Sequence, residues 1–171
     1  GTVMLPKVSR MTRMKQMDAV KRHIRLSMEL VMCMVCAMAF GLAAVAVNFA
    51  PLFYGDDFAY SGTLMMPLAF TLLSIGFANV IRTQWVLPQG RDTIFVHSVL
   101  TGAVINLIAN FVLIPPFGAM GAAAATVLAE FSVPAVQFVY LRKELPYAQY
   151  LKTTGVYCLF GLVMAGVVAL L

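Results

Sequence analysis

Five apolar runs leave this sequence few folds to choose from: Leu26 to Phe53, Leu64 to Leu87, Thr93 to Ile114, Gly118 to Leu141, and Gly155 to Leu171. A hydrocarbon core of roughly 30 Å takes roughly 20 helical residues to cross, and the first four runs are that long. Inside lipid every backbone N–H and C=O must find a partner within the protein, which restricts spanning segments to helices and closed barrels. A barrel would show alternating segments of about ten residues, and these runs are continuous. The sequence therefore predicts an all-α, polytopic membrane protein with five spans. Composition agrees, with 61% hydrophobic and 11% charged residues and a mean hydropathy of +0.89, far from the average of water-soluble domains.

The basic residues lie between the runs or near their ends. Lys7, Arg10, Arg13, Lys15, Lys21, Arg22 and Arg25 precede the first; Arg82 and Arg91 sit at the junction of the second and third; Arg142, Lys143 and Lys152 fall between the fourth and fifth. These are all twelve basic residues. The two other links, Tyr54 to Thr63 and Pro115 to Phe117, have none, and the first carries Asp56 and Asp57. Alternate links thus separate completely by basic content. By the positive-inside rule, residues 6–25 are expected in the cytoplasm and the Leu171 end outside a cytoplasmic membrane.

A net charge of +5 could suggest nucleic acid. However, that partner needs basic residues on a solvated face interleaved with aromatics, and here seven of the twelve crowd against the first span. Anionic lipid headgroups are the expected partner, and no nucleic acid. Within Pro6 to Arg25, Val8, Met11, Met14, Met17, Val20 and Ile24 recur every three or four residues, the pattern of a helix lying in the membrane interface; a solvated connector is the plainer alternative. The chain opens on Gly1-Thr-Val-Met-Leu5 without a signal-peptide layout and closes inside an apolar run, so a piece of a longer protein is expected.

Cys33, Cys36 and Cys158 all fall inside spans. Cys33-Met-Val-Cys36 has the spacing of a redox or metal pair, but no His or second pair accompanies it. A packing role is expected, as for most buried free thiols. No metal or other cofactor and no enzyme site is indicated, since no nucleophile–base set, carboxylate pair or phosphate-cradling glycine loop appears. His97, near the start of the third span and Asp92, reads as an interface residue.

Polar residues inside the spans carry the functional signal, because each is costly in lipid and tends to face protein or water. Ser98, Gly102, Asn106 and Asn110 form a stripe at steps of four; Ala122, Thr126 and Glu130 form another, joined by Gln137; the second span adds Thr71, Ser74, Ala78 and Arg82. Ordinary packing explains many such stripes, since small residues admit close approach and Asn or Thr bond between helices. That reading suits Ser98, Gly102, Thr126 and the cluster Gly118, Gly121, Ala122 and Ala125. Glu130 is different. It lies near the middle of its span, where a carboxylate must be protonated, paired or wetted. Pro134, one turn on, frees a backbone carbonyl and can kink the helix. The candidate cavity-lining residues are Glu130, Asn106, Asn110, Thr126, Arg82 and Gln137.

The segments Phe49-Ala-Pro-Leu-Phe-Tyr-Gly55, Asn106-Leu-Ile-Ala-Asn110, Leu113-Ile-Pro-Pro-Phe-Gly118 and Gly121-Ala-Ala-Ala-Ala-Thr-Val-Leu-Ala-Glu130 resemble the polysaccharide flippases. These belong to the multidrug, oligosaccharidyl-lipid and polysaccharide exporter superfamily. Thr2-Val-Met-Leu-Pro6 looks like the end of that family's preceding helix. The resemblance implies two six-helix lobes around a cavity open to one side at a time, with this chain supplying most of the second lobe and an N-terminal lobe as its partner. It also implies an isoprenoid-diphosphate-linked oligosaccharide as substrate and a cationic cavity. Arg82 is the only basic residue within these spans, so most of that cationic character is expected from the other lobe. A cation-coupled multidrug exporter is the near alternative; a membrane-embedded enzyme or scaffold of polysaccharide assembly is the alternative from another class.

Overall fold

The computed structural model describes residues 5–14 and 16–170. Lys15, the Leu171 end and the Thr2-Val-Met part of the family resemblance lie outside them. The described residues are helical, with no strand among them: α1 (Leu5–Arg13), α2 (Met17–Tyr54), α3 (Ala59–Ala69), α4 (Thr71–Ile81), α5 (Asp92–Leu141) and α6 (Tyr147–Leu170). The segments Met17–Tyr54, Asp56–Gln89, Asp92–Leu141 and Tyr147–Val168 are each long and apolar enough to cross a membrane.

The 50-residue α5 holds two spans. Gly118 interrupts it with φ 55° and ψ −131°, a conformation that L side chains rarely adopt. The chain reverses there. A Cβ added to Gly121 would collide with the Leu113 carbonyl, and one on Gly102 would lie 3.0 Å from Val133 Cγ2. Further along, His97 Nδ1 is 3.2 Å from the Tyr140 hydroxyl. These pairs move symmetrically away from Gly118, so the halves 92–117 and 119–141 form a helical hairpin. The remaining spans follow the same alternation. Gly62 packs on Ala46 and Gly76 on Val35, so α2 runs antiparallel to α3 and α4. Cys36 meets Cys158, and Gly161 meets Phe40, so α2 and α6 run parallel. Successive crossings therefore alternate in direction, as five spans require.

Helix boundaries extend past the apolar runs. Helix α2 begins at Met17 and covers 38 residues, about 57 Å at 1.5 Å per residue. Hydropathy marks where lipid is suitable, whereas Lys, Arg and Met are good helix formers on either side of that limit. For the same reason α6 starts at Tyr147 and includes Lys152. The Pro6–Arg25 segment is consequently split: α1 ends at Arg13, and the rest opens α2. Its Val8, Val20 and Ile24 are buried together with Met28, Met32 and Cys36, Met11 and Met17 are partly buried against them, and Met14 is 54% exposed.

The second span is broken at Phe70 between α3 and α4, with the Thr71 hydroxyl donating to the Leu68 carbonyl at 2.7 Å. It ends in a π-turn over Arg82–Val86 and a 3-10 turn over Leu87–Gln89. The core lies toward the basic end, where Phe40, Phe77, Ile81, Trp85, Leu141 and Tyr150 pack together. Outside it, Leu107, Ile108, Phe111 and Val112 are exposed, Phe111 by 75%. An apolar surface of this extent suits lipid contact.

Candidate functional site

Span two and the α5 hairpin do not close on each other. Ala78, Gly102, Ala103 and Ala129 leave a cavity of about 380 Å³, and Asn79, Arg82, Asn106, Thr126, Glu130 and Gln137 also line it. Five of the six residues singled out in the sequence meet here. Asn110 does not: it borders a separate hollow beside Leu107, Phe111 and Pro115. Its amide donates to Asn106 Oδ1 at 2.9 Å, so the two asparagines satisfy one another along one helix instead of bridging two. Thr126 likewise bonds within its own helix, to the Ala122 carbonyl at 3.0 Å.

Arg82 enters the cavity where α4 gives way to the π-turn. Such turns shift the side-chain register by part of a turn and frequently occur at functional positions. Its guanidinium carbon is 4.9 Å from the Phe95 ring centroid, a cation–π distance, and its Nε is buried without a hydrogen-bond partner among the described residues. Gln137 is 1% exposed, with Oε1 also unpartnered among the described residues. Buried polar atoms are ordinarily satisfied, so two orphans on one cavity wall mark places where water or a ligand group would be favoured.

Glu130 owes its backbone setting to Pro134. Proline has no N–H to return to the carbonyl four residues earlier, and the freed Glu130 carbonyl accepts the Ser74 hydroxyl from α4 instead. Pro134 does not break the helix; the one non-helical residue inside α5 is Gly118. This bond fixes the second half of α5 against α4 beside the cavity, while the Glu130 carboxylate, partly exposed, has no side-chain hydrogen bond among the described residues. Asn79, one position from the stripe of the second span, was not identifiable from steps of four alone; its offset of three from Arg82 was the available signal.

The links at the basic end are tied by a second polar group. Arg91 Nη1 contacts Glu144 Oε2 at 2.6 Å, and Trp85 Nε1 donates to the same oxygen at 3.0 Å. Lys21 Nζ lies 5.9 Å from the Trp85 ring centroid. The Arg91 hydrogen bond, helped by Trp85 and the charge of Lys21 and opposed by partial burial, holds the Glu144 carboxyl below its ordinary range. Among the described residues no three His, Cys, Asp or Glu side chains converge as a metal site would require.

Over residues 1–171 the chain matches the family model described as lipid II flippase MurJ. A Shigella dysenteriae protein described as "Putative O-antigen transporter" is 24% identical over 87 residues, which is 51% of this chain and 22% of that protein. The match thus takes in about a fifth of the relative. No solved structure shows a significant match. A polytopic helical bundle with a polar cavity between its spans suits such a family, and because the family match extends over the whole sequence, this chain belongs to the lipid II flippase MurJ family.

Proposed function

We propose that this chain forms one wall of a transporter that carries an isoprenoid-diphosphate-linked saccharide across the cytoplasmic membrane by alternating access, with an N-terminal lobe as the opposing wall. The observation that carries this reading is the polar cavity in a lipid-facing bundle, with Arg82 Nε and Gln137 Oε1 unpartnered on its surface. Arg82 supplies a cation for the diphosphate, and Asn79, Asn106 and Gln137 supply hydrogen bonds of the kind that saccharides accept and donate. A polar cavity lined by span two and the α5 hairpin fits a site completed by a second lobe, as in transporters whose binding sites lie between two repeats. Lipid II and other lipid-linked oligosaccharides share this chemistry, and both remain within the proposal.

Cation coupling is favoured by one observation, a carboxylate facing the cavity at mid-span. A central charge costs about 2.5 to 3.5 kcal/mol on insertion scales, so Glu130 is better explained by proton or cation exchange than by packing. For orientation, the basic links are assigned to the cytoplasm. Single cysteines at Asp57 and Phe117 in a Cys-free chain should react with an impermeant reagent from outside, whereas one at Lys143 should not; the reverse pattern would invert the assignment. The site itself is tested in the full-length protein by photoreactive residues. One replacing Ala103, in the cavity, should cross-link to the lipid-linked substrate, and one replacing Ile108, on the exposed face, should not. Equal labelling at the two positions would remove the cavity from the substrate path.

A further inference from the structure

Cys36 and Cys158 are 122 residues apart in sequence and belong to different spans, yet their sulfurs are 3.7 Å apart. We infer that they form a reversible dithiol–disulfide pair that, when oxidised, clamps α6 to α2. This inference is independent of the proposed transport site, because neither thiol lines the polar cavity.

The surroundings support a covalent clamp. Around the thiols α2 and α6 run parallel and closely packed: Gly161 admits the Phe40 ring against the α6 backbone, and a Cβ on Gly41 would touch Met164 at 3.5 Å. Both glycines are on the same seam as the thiols and hold the two helices close there, and a disulfide requires the sulfurs to approach from 3.7 Å to about 2.0 Å. Cys36 is 1% exposed. Cys33, three residues earlier on α2, is exposed and is not part of the pair. The sequence motif Cys33-Met-Val-Cys36 therefore does not act as a unit; its second cysteine pairs across the bundle.

Access to an oxidant is provided on the Cys158 side. A second cavity, about 410 Å³, lies between α2, α4, the second half of α5 and α6; Met32, Leu73, Phe77, Phe131 and Phe138 share its walls with Cys158. So apolar a cleft admits a membrane-dissolved quinone more readily than a hydrated oxidant. In the reaction both S–H bonds break and one S–S bond forms. The two electrons and two protons pass to the quinone, which leaves as the quinol. A dithiol reductant reverses the step by thiol–disulfide exchange.

The clamp matters because α6 depends on this seam. Its outward residues Leu159, Phe160, Leu162 and Val163 are all more than half exposed, and α2 provides the principal surface that it contacts. Oxidation would convert a packing contact into a covalent one.

The test uses the full-length protein in membranes, treated with a short-chain quinone and then with a thiol-alkylating reagent under denaturing conditions. The expected result is loss of alkylation at Cys36 and Cys158 together, loss of two hydrogens from the intact mass, a proteolytic fragment joining the two peptides, and a higher unfolding midpoint, all reversed by dithiothreitol. Cys33 stays alkylatable. Either Cys36→Ser or Cys158→Ser should abolish every change, while Cys33→Ser should leave them intact. Continued alkylation of Cys36 and Cys158 after quinone, or a cross-link that survives Cys158→Ser, would overturn the inference.

Discussion

Small residues line both the α2 seam and the cavity beside α5, yet they produce opposite outcomes. On the seam, space left by glycine is filled: Gly62 lies against the Ala46 carbonyl and Val47 Cα, and Gly161 against Phe40. At the cavity, Ala78, Ala103 and Ala129 face Asn79, Arg82, Asn106 and Glu130, and the space remains open. The difference lies in the neighbours. A glycine beside a large apolar side chain or bare backbone gains dispersion contacts from close approach. Small residues beside polar groups gain less, because closing the gap would desolvate atoms that have no partner. A stripe of small residues therefore indicates contact or hollow according to what it faces, and only the fold supplies that information.

Enlarging one small residue on each side should affect the two regions differently. On the seam, a Cβ at Gly62 would already be 2.6 Å from the Ala46 carbonyl oxygen and 2.8 Å from Val47 Cα. Both are backbone atoms that cannot rotate away. Gly62→Leu is expected to cost about 3 kcal/mol or more, the upper end for overpacking, and to remove most of the folded protein from the membrane. Ala103→Leu at the cavity meets open space and should leave protein levels and unfolding temperature nearly unchanged while lowering export. Quantifying membrane levels and export for both variants separates the two regions; equal loss of folded protein from both would mean that the cavity is in fact packed.

A smaller effect is expected where the links meet. Because the Glu144 carboxyl is held below its ordinary range by Arg91, its charged form stabilises the fold above that ordinary range, and this contribution is lost as pH falls through the lowered value. The Arg91 and Glu144 side chains are 36% and 34% exposed, which limits the effect to about 1 kcal/mol or less. Thermal unfolding of the parent protein and of Glu144→Gln should differ slightly at pH 7 and converge in strong acid. A difference that grows on acidification would contradict the assigned role of the pair.

The same contrast shows what could be read from sequence. Spans, their alternation and the reversal near Pro115–Phe117 were legible because lipid imposes length, and charge segregates by link. Helix ends were not. Lys21, Arg22 and Arg25 stop a hydropathy signal without stopping a helix, so α2 begins at Met17. The break at Phe70 gave no local signal beyond Pro67, three residues earlier. At the site, steps of four, and of seven from Glu130 to Gln137, picked out Arg82, Asn106, Thr126, Glu130 and Gln137, which line one cavity. They misplaced Asn110, whose partner is Asn106 on its own helix, because periodicity fixes a face and not which neighbour that face meets. Pro134 was recognisable as the source of a free carbonyl; Ser74 as its acceptor's donor required the packing of α4 against α5.

Under the proposed role, the cavity beside α5 is a working surface of the intact transporter and its carboxylate takes part in transport. Glu130→Gln in the full-length protein tests this most directly, since it preserves shape and hydrogen-bonding capacity while removing the carboxylate. Membrane levels and lipid-linked glycan export would be measured together in a flippase-depleted cell. Normal levels with most of the export lost are expected. Normal levels with full export would show that Glu130 serves only as a neutral hydrogen-bonding group, and would contradict the proposed role.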